Sequence, residues 1–141
     1  MLRRLFVPLL VVLFAAAPPA GADTSETDRA EIMRVISAQM NAFLRDDGIE
    51  AFSYAAPSIR AMFQTPERFM SMVERGYPPV YRPRDVQFLD LVESEGRPLQ
   101  KVQVVGPDGL PVMAVYTMEM QPDGTWRIAG CVLFQLDGRA T

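Results

Sequence analysis

The stretch PVMAVYTMEMQPDGTWRIAGCVLFQL, residues 111–136, carries the reading of the fold. Val112, Ala114, Tyr116, Met118 and Met120 recur at every second position, the spacing of side chains on one face of a β-strand. Met113 and Val115 fall on the opposite face. Pro122-Asp123-Gly124 then makes a tight turn, because proline presets φ and glycine accepts a positive φ. Strict alternation after the turn puts Trp126, Ile128, Val132, Phe134 and Leu136 on one face and Ala129, Cys131 and Leu133 on the other. Both strands are thus apolar on both sides. An antiparallel sheet with one wet face alternates cleanly, so both faces of this hairpin are expected to be covered. One cover is a layer of helices; the other is a second copy of the chain, or an exposed patch that serves as a binding surface. The homodimer contact expected on this basis involves Met113, Val115, Ala129, Cys131 and Leu133.

Working outward, the same period runs from Val86, with strands at 86–93, 99–105, 111–120 and 126–136. Glu95-Gly96 and Pro107-Asp108-Gly109 supply the other turns, and short links between consecutive strands make an antiparallel meander. Upstream the period becomes helical. Ile32, Met33, Ile36, Met40, Phe43 and Leu44 form one stripe over Ser25 to Arg45, with Ser25 or Thr27 as N-cap and Gly48 as the left-handed residue beyond its end. A short helix is expected over Ile49 to Ala55, stopped by Pro57, and a single turn over Ser58 to Phe63. Thr65-Pro66-Glu67 opens a further helix that runs to Arg75 and closes at Gly76. Pro78, Pro79 and Pro83 read as a stiff, extended connector. Helices first and one sheet after them is the α+β class.

The N-terminus reads as an export address. Arg3 and Arg4 precede the apolar run Leu5 to Ala17, and Pro18-Pro19 and the small residues Ala20-Gly21-Ala22 follow. That run is shorter than the roughly 20 residues needed to span a bilayer. Residues 1–22 are therefore expected to be removed as a signal peptide, leaving a single domain over 23–141. The formal charge is −3, and −5 once Arg3 and Arg4 are gone. Such a balance argues against nucleic acid or an anionic membrane as partner, since both need a basic footprint. The chain has one cysteine and no histidine. No internal disulfide is expected, and the commonest general base, the commonest metal ligand and every Ser-His or Cys-His nucleophile are ruled out. Neither cofactor nor metal is expected.

Asp123-Gly124-Thr125-Trp126-Arg127-Ile128, a turn into a final long strand, resembles the nuclear-transport-factor-2-like superfamily. The segments from Phe52 through Tyr54-Ala55-Ala56-Pro57-Ser58-Ile59 and on to Gly76-Tyr77-Pro78-Pro79-Val80-Tyr81 look more closely like an exported bacterial family, domain of unknown function 4864. The likeness covers nearly all of residues 28–136. It implies helices packed in the concavity of a curved antiparallel sheet, a cone-like cup, and a Gram-negative source, hence the periplasm. It supplies no catalytic residues. Ketosteroid isomerase and polyketide cyclases belong to the superfamily, but their motifs have no clear match in this chain.

Isomerase-type chemistry in such a cup needs a carboxylate base and a phenol donor. Tyr54, Tyr81 and Tyr116 are candidate phenols, and Asp90 and Glu119 candidate carboxylates; Asp90 shares strand parity with Val86 and Phe88. The segment Arg60 to Arg84 is cationic within an acidic chain and carries Tyr77 and Tyr81 beside Arg82, a pairing suited to an anionic or planar ligand. The candidate pocket is therefore Tyr54, Arg60, Tyr77, Tyr81, Arg82, Asp90 and Tyr116. Cys131 has no second cysteine to pair with and reads as a small buried apolar side chain. Three functions fit these residues. They are non-catalytic binding of a small molecule or protein, an isomerase, dehydratase or hydrolase in the cup, and an interaction protein acting through the outer sheet face.

Overall fold

The computed structural model describes residues 24–136. The signal segment read at 1–22 lies outside the described residues. Helix α1 (Glu26–Leu44) starts at Ser25, whose Oγ accepts from the Asp28 amide at 3.1 Å, with Glu26 and Asp28 at the positive end of the helix dipole. Its buried side is Ile32, Val35, Ile36, Gln39, Met40, Ala42 and Phe43, whereas Met33 and Leu44 of the expected stripe are exposed. The stripe turns because α1 is packed by the sheet on one flank and by α2 (Gly48–Ser53) on another. Gln39 is accommodated inside by donating its amide to Ala51 O at 3.1 Å.

The left-handed residue after α1 is Asp46, at φ 53°, rather than Gly48. A short polar side chain tolerates that conformation. Gly48 instead opens α2, where a Cβ would lie 2.8 Å from Met70 Cγ, so its role is close approach to α4 (Pro66–Gly76). Pro57 starts α3 (Pro57–Phe63) at its first position instead of merely ending α2. Thr65 caps α4 by accepting from the Arg68 amide at 3.2 Å, as the sequence predicts. The proline connector is not extended: Pro78 and Pro79 open a single turn, α5 (Pro78–Tyr81), where a missing N–H costs nothing.

Four strands follow, β1 (Asp85–Ser94), β2 (Arg97–Val105), β3 (Pro111–Met120) and β4 (Trp126–Gln135), in the sheet order β1-β2-β3-β4 and all antiparallel. Glu95 and Gly96, at φ 53° and 75°, form the two-residue hairpin turn that matches strand twist. Helices before a meander make the α+β fold expected. The core lies where Ile32, Ile36 and Phe43 of α1 meet Val102, Val104, Ala114, Tyr116 and Met118 of the sheet.

Two bulges redirect the faces. In β1, Phe88 pairs with Val102 and Leu91 with Gln100, so two residues of β1 oppose the single Lys101. Asp90 is thereby turned out of the cup, exposed, with its carboxylate 3.7 Å from Lys101 Nζ. Inside, the buried Gln100 donates its amide to Leu89 O at 2.9 Å, satisfying a carbonyl the bulge has freed. In β4, Gly130 pairs with Thr117 and Ile128 with Met118, leaving Ala129 as the inserted residue. Parity inverts beyond it. Cys131 and Leu133 stand opposite Tyr116 and Ala114 and pack on the core, while Val132 and Phe134 stand opposite Val115 and Met113, 55% and 54% exposed. The face assignment made by strict alternation therefore holds for Trp126 and Ile128 and is reversed from Cys131 onward. Met113 and Val115 keep their place on the outer face, but Ala129, Cys131 and Leu133 do not belong to it.

Candidate functional site

The lower half of the β4 edge is covered by the α2–α3 link: Ile128 N–H donates to Tyr54 O at 2.9 Å, and Ala56 N–H donates to Ile128 O at 2.8 Å. Above that bridge the edge parts from the helices, and a cavity of about 310 Å³ opens between α3, α4 and β4. Tyr116 and Ile128 line it from the sheet; Ile59, Met62 and Phe63 line it from α3, and Phe69, Met72 and Val73 from α4. Residues 129–132 of β4 complete the wall. The helical wall is stiffened by aromatic packing around Phe69, whose ring lies 5.4 Å from Phe52, 5.9 Å from Phe63 and 6.1 Å from Phe43.

The polar side chains on this wall are Gln39, Tyr77, Tyr116 and Cys131. Tyr77 donates its hydroxyl to Cys131 O at 2.9 Å, tying the end of α4 to the free edge of β4. Burial raises its pKa, with the neighbouring Cys131 adding to the effect. Tyr116 is fully enclosed, and among the described residues its hydroxyl has no hydrogen-bond partner. The Cys131 thiol lies across the ladder from it without meeting hydrogen-bond geometry. Burial first, and Cys131 second, push the Tyr116 phenol well above its ordinary range. Cys131 keeps some surface toward the cavity, yet its thiol lies deep enough for burial to push it up to about 12. It is a protonated thiol rather than a nucleophile.

Of the residues picked out in the sequence, Tyr77 and Tyr116 meet in this cavity. The others stand elsewhere. Tyr54 donates to Glu50 Oε1 at 3.0 Å within α2 and its cap. The Arg60 guanidinium lies over the Phe52 ring, 5.5 Å from its centroid. Tyr81 donates to the Asp46 carboxylate, and Arg82 pairs with the same carboxylate at 2.9 Å and with Phe43 O at 2.6 Å. Those two residues, with the guanidinium 3.9 Å from the Tyr81 ring centroid, close the C-terminal end of α1. Asp90 is on the outer face, as is Glu119, which pairs with Arg127 in the ladder and lies 4.0 Å from Arg97. The apolar wall residues of α3 and α4 were not singled out in the sequence. They are of the same types as core residues, and only the unfilled space beside them distinguishes the two. Among the described residues no cluster of acidic and cysteine side chains could hold a metal ion, and no helix is long and apolar enough to cross a membrane.

No curated protein and no solved structure matches the chain. The family model described as Domain of unknown function (DUF4864) matches residues 25–141, which take in all the helices and strands above, and the chain belongs to that family.

Proposed function

We propose that the domain binds a small apolar molecule in the cavity between α3, α4 and β4 and performs no chemistry on it. The observation that carries this reading is the cavity itself: about 310 Å³, walled by aliphatic and aromatic side chains, with few polar groups. Ligand sites begin at roughly this size, about 300 Å³, and have this composition. The carboxylates that isomerase-type chemistry would recruit, Asp90 and Glu119, point away from it, and the Cys131 thiol stays protonated. Export to the periplasm is supported by the residue pattern of 1–22, and membership of the nuclear-transport-factor-2-like superfamily by the layering of helices on one face of an antiparallel meander.

Thermal unfolding with and without naphthalene tests the binding reading. Saturation to about ten times Kd stabilises by roughly 1.4 kcal/mol, which raises the melting temperature by several degrees. Ile59→Trp, which fills the cavity from the α3 wall, should abolish the shift. An unshifted wild type would overturn the reading.

A second reading rests on the outer sheet face. Val132 and Phe134 are more than half exposed beside Met113 and Val115, an apolar patch suited to a second copy of the chain. The two readings are compatible, since of the patch residues only Val132 borders the cavity.

A further inference from the structure

The sheet ends on two edges that differ in how they are protected. The β1 edge is broken by its bulge and carries Asp85, Asp90 and Glu93, the last of which accepts from the Thr24 hydroxyl at 2.8 Å. Charge and irregularity of this kind keep a further strand from adding. The β4 edge is covered only in part. Tyr54 and Ala56 pair with Ile128, and Tyr77 bonds Cys131 O, so the cover ends at Cys131. Backbone groups of successive residues point to alternate sides of a strand, so Leu133 and Gln135, in step with Cys131, turn N–H and C=O away from β3. Among the described residues these groups have no backbone partner. From Ile128 to Leu136 there is no charged residue and no proline. An edge of that composition is a template for another strand.

The free stretch matches itself. Val132 and Phe134 stand on the outer face, 55% and 54% exposed, and Leu136, next in the alternation, is 41% exposed. Two antiparallel copies centred on Phe134 place that ring opposite its counterpart and Val132 opposite the partner's Leu136. Leu133 then faces the partner's Gln135 as a hydrogen-bonded pair, and the symmetry repeats it, so all the free N–H and C=O groups of both residues are answered. Apolar and aromatic pairs across strands add to this. Charge favours the same stretch. The chain is acidic, at −3, and two like copies repel least where neither carries an acid. A two-fold contact closes on itself, and the protected β1 edge stops growth at two copies.

Resting on the reading of the outer patch as a contact between copies, we propose that two copies join edge to edge through residues 132–136, around a two-fold axis at Phe134, into one continuous sheet. The contact is thus a pairing of backbones and not a stacking of two sheet faces.

Cysteine cross-linking of the mature protein separates these geometries. A disulfide needs Cα atoms within about 7 Å. Opposed residues of a non-hydrogen-bonded pair lie about 4.5 Å apart, whereas stacked sheets stand about 10 Å apart. Under mild oxidation a mixture of Val132→Cys and Leu136→Cys should give a disulfide-linked dimer. Neither variant alone should, since each new cysteine lies about 13 Å along the strand from its own copy. Gln135→Pro removes an N–H that the β3 ladder does not use and should weaken the dimer about tenfold or more in sedimentation velocity. Gln135→Ala keeps the N–H and should not. A wild type that is monomeric at micromolar concentration would overturn both the edge pairing and the outer-patch contact. A dimer that gives no cross-link in the mixture and ignores Gln135→Pro would overturn the edge pairing alone and leave face-to-face packing. Cross-linking of either cysteine variant by itself would overturn the register. Should Gln135→Pro fail to fold, the cross-linking pattern decides.

Discussion

Burial sets what the side chains at this site can do. With its thiol pushed up to about 12, Cys131 holds about a thousandfold less thiolate at pH 8 than an ordinary cysteine of pKa 9. Alkylation by iodoacetamide at pH 8, followed by mass spectrometry, should be slower by about that factor in the folded protein than in urea; similar rates would show the thiol to be free. The same shift makes stability fall in alkali. A raised folded pKa leaves the contribution intact below the ordinary value and removes it as pH climbs toward the folded one, a direction that Tyr77 and Tyr116 share. At the other end of the scale, Trp126 Nε1 donates to Asp28 Oδ1 at 3.1 Å and, with Ser25, lowers the Asp28 pKa. That contribution is present above the ordinary value of 3.8 and is lost as pH falls through the lower folded one. Asp28→Asn keeps an acceptor and loses the charge. The stability gap between wild type and variant, measured by urea unfolding at pH 6 and pH 3, should therefore narrow in acid; a constant gap would assign the effect to packing.

The elements were readable where one period dominates. All four strands and the caps at Ser25 and Thr65 follow from residues close in sequence. The bulges do not, because a bulge belongs to two strands at once. Nothing in residues 126–136 alone says that Ala129 is the inserted residue; only its pairing with β3 does. One hint was present in Gln100, an amide in line with Val102 and Val104, since a polar side chain at an inward position needs a partner such as a bulge carbonyl. The two prolines at 78 and 79 were ambiguous for another reason: their fixed φ suits both an extended segment and the first turn of a helix. The site was readable only where it is polar, at Tyr77 and Tyr116. Deleting Ala129 should therefore regularise the ladder without moving a face, because Gly130, Cys131, Val132 and Leu133 keep Thr117, Tyr116, Val115 and Ala114 as partners. The variant should fold with Leu133 still on the core and lose no more than about 0.5–3 kcal/mol in urea unfolding. An unfolded deletion variant would mean that pairing with β3 does not set the face.

Among the described residues, one face of the sheet is covered by helices and one is not. If the outer patch pairs two copies, an interface of standard size removes about 800 Å² from each. Phe134→Glu would place a charge at its centre and should convert dimer to monomer in sedimentation velocity with the melting temperature little changed. Leu133→Glu, one residue away but turned to the core, should instead unfold the domain. A wild type that sediments as a monomer at micromolar concentration would remove the dimer.

The hydrogen bonds that join the helical half to the sheet also govern when the chain can acquire structure. Asp28 is held by Trp126, Tyr54 and Ala56 by Ile128, and Tyr77 by Cys131, so each of these links ends on β4; Thr24, ahead of α1, donates instead to Glu93 of β1 at an exposed site. During synthesis the helices emerge first, and helices this short are marginal in isolation. They must wait for the last strand to be made. A chain that stops at Pro122 should show no slowly exchanging amides, although all five helices are present in it. Completion of β4 is then the event that starts folding, and until it occurs the chain stays unfolded.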